Sequence, residues 1–172
     1  MKTALYIIAA MAAERNWFSL KRRLFIGLTT ASSKEEAEIG SRRLFLEQTS
    51  KSDEYLNTLF EAEPVPESRI KYYCSQLGKQ RDGAHQLVTL WAYAAFSPDR
   101  GGLHLGTIIS QTKQDAEQEI VLRLAERKLE HRKHFDFIVK GIPPRMFLPQ
   151  FSDPETALRL LRQRFVSCES KK

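Results

Sequence analysis

The feature that most narrows what this chain can fold into is a frame of 79 residues in which its two halves carry the same markers in the same order. Gly27 falls on Gly106, Ser33 on Thr112, Glu36 on Asp115, Ala37 on Ala116, Glu38 on Glu117 and Pro64 on Pro143. Few residues are identical between the halves. What repeats is the order of glycine, helix cap, alternating strand and terminating proline, and agreement across those levels points to one supersecondary unit written twice.

The elements of the unit can be read locally. RRLFIGLTTAS (22–32) has the apolar and β-branched content of a strand. Ser33 with Glu36 three residues later makes a capping box, so a helix begins there: the hydroxyl accepts from an orphan N–H while the carboxylate reaches back. YLNTLFEAEPVP alternates as a strand that Pro64 and Pro66 stop. PESRIKYYCSQLG then reads as a short helix with Pro66 near its start and Gly78 at its end. The second half repeats this with the strand QLVTLWAYAAF, the turn SPDRGG, the strand LHLGTIISQT and a helix capped by Thr112 with Asp115. The strand HFDFIVKGIPP follows, with Phe135, Phe137 and Val139 on one face. A last helix, SDPETALRLLRQRF, has Ser152 or Asp153 as its cap.

The opening run, Ala4 to Ala13 after a lone Lys2, has the outline of a short signal peptide as well as of a strand. The repeat decides between them. ALYIIAAMAA takes the place that QLVTLWAYAA takes in the second half, where the segment lies mid-chain, so a strand is expected. Cys74 and Cys168 fit no disulfide scaffold or ligand spacing, and with them a cytoplasmic protein with two reduced thiols is expected.

The expected fold is α+β: a tandem duplication of a β-β-α-β-α unit, the first over residues 1–80 and the second over 81–172, together one compact body. Each unit forms a three-stranded antiparallel sheet with its first strand in the middle and its helices outside. That strand is apolar on both faces, Tyr6 and Ile8 against Leu5 and Ile7, and Trp91 and Tyr93 against Leu90 and Ala92. Helices cover one face. The other meets either the equivalent face of the sister unit around a pseudo-two-fold axis, or the two units join as one continuous six-stranded sheet.

Function is far less legible. No G-x-S-x-G or Cys-with-His pattern marks a nucleophile, and neither cofactor nor metal is implied. His131 and His134 flank Arg132 and Lys133, a setting that repels a cation. His104 matches Phe25 and reads as a packed strand residue. Arg100 with Gly101 and Gly102 opens no helix, so it is a hairpin turn and not a phosphate loop. The acidic residues Glu35, Glu36, Glu38, Asp115, Glu117 and Glu119 sit in first helical turns, where negative charge is stabilising anyway.

The remaining candidates are basic. The chain carries 27 Lys and Arg against 21 Asp and Glu, a net charge of +6, which permits an acidic partner without requiring one. Trp17 and Phe18 beside Lys21, Arg22 and Arg23 make the first hairpin tip the leading contact site, with Arg42 and Arg43 on the first helix and Arg127 and Arg132 on the third. A solvated charged face with Trp17 folded back onto the core accounts for the same residues. Three readings follow in order: a non-catalytic binding or regulatory protein that docks on another macromolecule, chiefly a protein; a nucleic-acid binder using the tip and the helix cations; and an enzyme with its site between the repeats. No membrane partner is expected, since no apolar run approaches the ~18 residues a span requires.

Overall fold

The computed structural model describes residues 3–14, 21–49, 55–79, 88–97, 102–125, 136–143 and 146. In chain order these form β1 (Ala4–Glu14), β2 (Lys21–Ala31), α1 (Lys34–Gln48), β3 (Tyr55–Pro64), α2 (Glu67–Lys79), β4 (Thr89–Ser97), β5 (Gly102–Ser110), α3 (Lys113–Leu124) and β6 (Asp136–Gly141). The segment expected to form the last helix lies outside the described residues.

The described residues form two antiparallel sheets, ordered β2-β1-β3 and β5-β4-β6, so the first strand of each unit is central and the two units do not join as one continuous six-stranded sheet among those residues. β2 approaches β6 and β3 approaches β5, while β1 meets β5 and β4 meets β2. Each of these approaches turns into another when the units are exchanged, as a two-fold relation requires.

Alternation along the central strands builds four layers, helix, sheet, sheet and helix, with apolar zones between them. Leu5, Ile7 and Ala9 of β1 face Leu90, Ala92 and Ala94 of β4 in one core between the sheets. Tyr6 and Ile8 turn the other way, toward Ala37 of α1, and Tyr93 and Ala95 turn toward Ala116, Ile120 and Leu124 of α3. α2 adds something periodicity did not foresee. Its Ile70, Tyr73 and Cys74, spaced i, i+3 and i+4, are buried in the core shared by both sheets. Each such apolar side chain is worth about 1.5–3 kcal/mol relative to exposure.

Hydrogen-bond register corrects two of the sequence equivalences. Ala4 pairs with Ala31 and Thr89 with Ser110, so β1 superposes on β4 with Leu5 on Leu90, three residues from the frame that places ALYIIAAMAA on QLVTLWAYAA. A shift of three, being odd, would send every side chain to the wrong face. The sequence conceals it because both faces of both strands are apolar. Val65 N–H donates to Leu5 O and Ile142 N–H to Leu90 O, so Pro66, not Pro64, is the counterpart of Pro143.

The helix starts differ in one atom's reach. At α3, Thr112 Oγ1 accepts from Asp115 N–H (3.1 Å) and Asp115 accepts from Thr112 N–H (3.3 Å), a reciprocal capping box. At α1, Ser33 Oγ accepts from Glu36 N–H (3.2 Å), but the longer Glu36 side chain passes Ser33 and takes the N–H (2.7 Å) and hydroxyl (2.6 Å) of Ser32. Those donors favour the charged form, and they hold the Glu36 carboxyl below its ordinary value.

Candidate macromolecular interface

The alternation of β2 divides its basic start between two faces. Arg22 turns toward the sister sheet, where its guanidinium carbon lies 5.2 Å from the centroid of the Phe96 ring. Arg23 turns toward α1 and lies 5.4 Å from the Phe25 ring. Phe25 meets Phe45 of α1 edge to face at 5.7 Å, and Phe45 meets Phe60 of β3 at 5.8 Å. Arg42, one turn before Phe45 on α1, closes the row 4.9 Å above Phe60.

The row Arg23, Phe25, Phe45, Phe60, Arg42 exists because Ala37, Ser41 and Phe45 recur every fourth residue and form the buried stripe of α1. Phe25 and Phe60 both stand opposite Ala10 on neighbouring strands, where a small central residue leaves room for the ring of Phe45. A stacked cation at an exposed site contributes only about 0.5–1 kcal/mol, so the effect is orientation more than adhesion. Arg42, held over the Phe60 ring and engaged in no ion pair among the described residues, keeps guanidinium N–H donors available for acceptors.

Charge partners elsewhere are local. Lys34 pairs with Glu61 (2.6 Å), Lys71 with Glu67 (3.1 Å), Lys113 with Glu117 (3.6 Å) and Arg123 with Glu119 (2.9 Å). Among the described residues, Arg22, Arg42 and Arg43 take part in no ion pair. On the outward side of α1, Ile39 is 60% exposed and Leu46 61%, with Arg42 and Arg43 between them. The result is a short surface of two aliphatic side chains enclosing two cations.

Of the residues expected to bind, Arg23 and Arg42 are brought to one aromatic row, Arg43 lies beside them on α1, and Arg22 stands on the opposite face of β2. Lys21 opens β2 opposite Glu14. Trp17, Phe18, Arg127 and Arg132 lie outside the described residues, as do His131, His134, Arg100, Gly101 and Cys168. His104 occupies the helix-facing side of β5 opposite Ala95, the counterpart of Phe25 opposite Ala10. Cys74 is buried, and burial pushes its thiol up to about 11, which leaves it mostly in the unreactive protonated form at neutral pH. No group of three or more metal-ligating side chains occurs among the described residues, and no helix among them is long and apolar enough to cross a membrane.

Sequence reasoning missed Phe25, Phe45 and Phe60, and with them Ile39 and Leu46. The spacing of Arg42 to Phe45 was a usable local signal. The union of three rings from a strand, a helix and another strand was not, because it depends on register and packing. Comparisons with protein-family models, with curated proteins and with solved structures returned no match.

Proposed function

We propose that this is a non-catalytic docking protein whose first unit binds an acidic, partly apolar segment of a partner protein along α1. The observation that carries this reading is the pair Ile39 and Leu46, exposed on either side of Arg42 and Arg43. Phosphate backbones reward cations, but gain nothing from two aliphatic side chains that flank them. A protein segment gains from both, since aliphatic anchors desolvate while carboxylates accept from the guanidinium edges. The ring-mounted Arg23 and Arg42 are already oriented, which lowers the entropy lost on binding.

Capture from a native lysate at two salt concentrations, with and without nuclease, tests this. The wild-type chain is compared with the triple variant Ile39→Ser, Arg43→Ser, Leu46→Ser, all at exposed positions. Nuclease-resistant capture that the triple variant loses supports the docking surface. Capture that nuclease abolishes and salt steeply weakens favours the nucleic-acid reading, to which the unpaired arginines also lend themselves. Undiminished capture by the triple variant removes α1 from the interface.

A further inference from the structure

The seam where β3 approaches β5 holds a cavity of ≈160 Å³ lined by residues of both units, among them Glu63, Arg69, Tyr93, Thr107 and Arg123. Tyr93 and Thr107 are only 4% and 5% exposed, and neither hydroxyl has a hydrogen-bond partner among the described residues. Neither hydroxyl oxygen is sealed off from solvent, so each can meet a partner that enters the cavity.

Two arginines line the same space. Arg123 donates from Nε to Glu119 (2.9 Å) and from Nη1 to the Thr107 carbonyl (3.2 Å), which fixes its plane and leaves the rest of its five donors uncommitted. Arg69, half-buried in the first turn of α2, takes part in no ion pair among the described residues. Tyr93 lies across Gly106, its partner on β5: a Cβ there would stand 2.6 Å from the hydroxyl, so the glycine is what admits the ring.

The duplication supplies an internal control. Through the observed registers, Tyr93 corresponds to Ile8, Thr107 to Leu28, Arg123 to Leu44 and Arg69 to Met146. The opposite seam, where β2 approaches β6, has an apolar side chain at all four places; Ile8 and Leu44 close over Gly27. The scaffold therefore does not require polar groups there, yet the second seam has acquired one at every place.

We propose that this cavity binds a small oxyanion, a carboxylate or a phosphate group, between Arg69 and Arg123, with the Tyr93 and Thr107 hydroxyls donating to it. Its size admits a free ion or the anionic end of a larger molecule, and not a whole nucleotide. Glu63, exposed at the mouth, opposes the bound charge and sets the affinity low. The site is independent of the α1 surface.

The test is NMR titration of the ¹⁵N-labelled full chain with sodium phosphate and separately with sodium acetate, each against sodium chloride at matched ionic strength and pH. Saturable shifts at the Arg69, Gly106 and Thr107 amides are expected. Arg69→Gln and Tyr93→Phe should each raise Kd about tenfold, the scale of one charge-assisted hydrogen bond, while Glu63→Gln should lower it. Tyr93→Phe keeps the ring over Gly106, and an unchanged spectrum of each free variant certifies its fold. Saturation by phosphate alone or by acetate alone identifies the anion class. Linear shifts with both salts, or affinity unchanged in Arg69→Gln, overturn the proposal.

Discussion

The two units share one backbone plan and differ most sharply in what they mount on it. In the first, Phe25, Phe45 and Phe60 form a ring cluster roofed by Arg23 and Arg42. The corresponding residues of the second are His104, Leu124 and Phe137, with Gly102 and Val121 where the arginines stand. The second unit instead places Tyr93, Thr107 and Arg123 where the first has Ile8, Leu28 and Leu44. Positions alike in both units, such as the glycine of the second strand and the helix cap, are those the fold needs. Positions that differ in chemistry are where the two units part, and the two sets of differences lie in different places.

Substitutions at paired positions can break or sharpen this contrast. The largest effect is expected at Phe45→Ala, which removes the middle ring of the row and should cost about 3–5 kcal/mol by urea denaturation. Leu124→Ala, its counterpart, should cost less, toward the low end of about 2–5 kcal/mol. Equal losses would mean that the edge-to-face contacts add nothing to the burial of a side chain.

Next comes the paired glycine. Gly106→Ala drives a methyl to within 2.7 Å of the rigid Tyr93 ring and should cost about 1–3 kcal/mol. Gly27→Ala meets the mobile end of Leu44 at 3.0 Å and should cost under about 1 kcal/mol. Denaturation midpoints in the reverse order would show that the ring gives way more readily than the leucine.

Caps rank third. Thr112→Ala breaks a reciprocal box and should cost about 1 kcal/mol. Ser33→Ala should cost less, because Glu36 keeps its bonds to Ser32. Thermal melts of both variants measure the difference.

The smallest effect is electrostatic. The Ser32 hydroxyl, and then its N–H, hold the Glu36 carboxyl below the ordinary value of 4.5. A carboxyl depressed in the folded state adds stability that is present above its unfolded value and fades as pH falls through the folded one. Ser32→Ala should therefore move the Glu36 titration upward in a ¹³C-detected acid series.

Much of the fold was legible because it is local. Ser33 with Glu36 and Thr112 with Asp115 announce helix starts within four residues, and a strand apolar on both faces has to lie between two layers. The register of β1 against β4 was not legible, since Leu5, Tyr6, Ile7 and Ile8 suit either face equally and only the pairing of Ala4 with Ala31 and of Thr89 with Ser110 resolves it. Within the candidate site, Arg22, Arg23, Arg42 and Arg43 could be named as cations from composition and position. Their division into two ring-mounted residues on one face, a third stacked across the seam on Phe96 and a fourth beside them on α1 could not.

By itself the chain's order of residues determined the helix caps and the greasy central strands, because hydrogen bonds and side-chain periodicity act within one turn or one pleat. Only the tertiary structure decided which arginine received a ring and which hydroxyls share a cavity. Those neighbours lie tens of residues apart and meet through strand register and the packing of one sheet on the other, neither of which any short stretch of sequence contains.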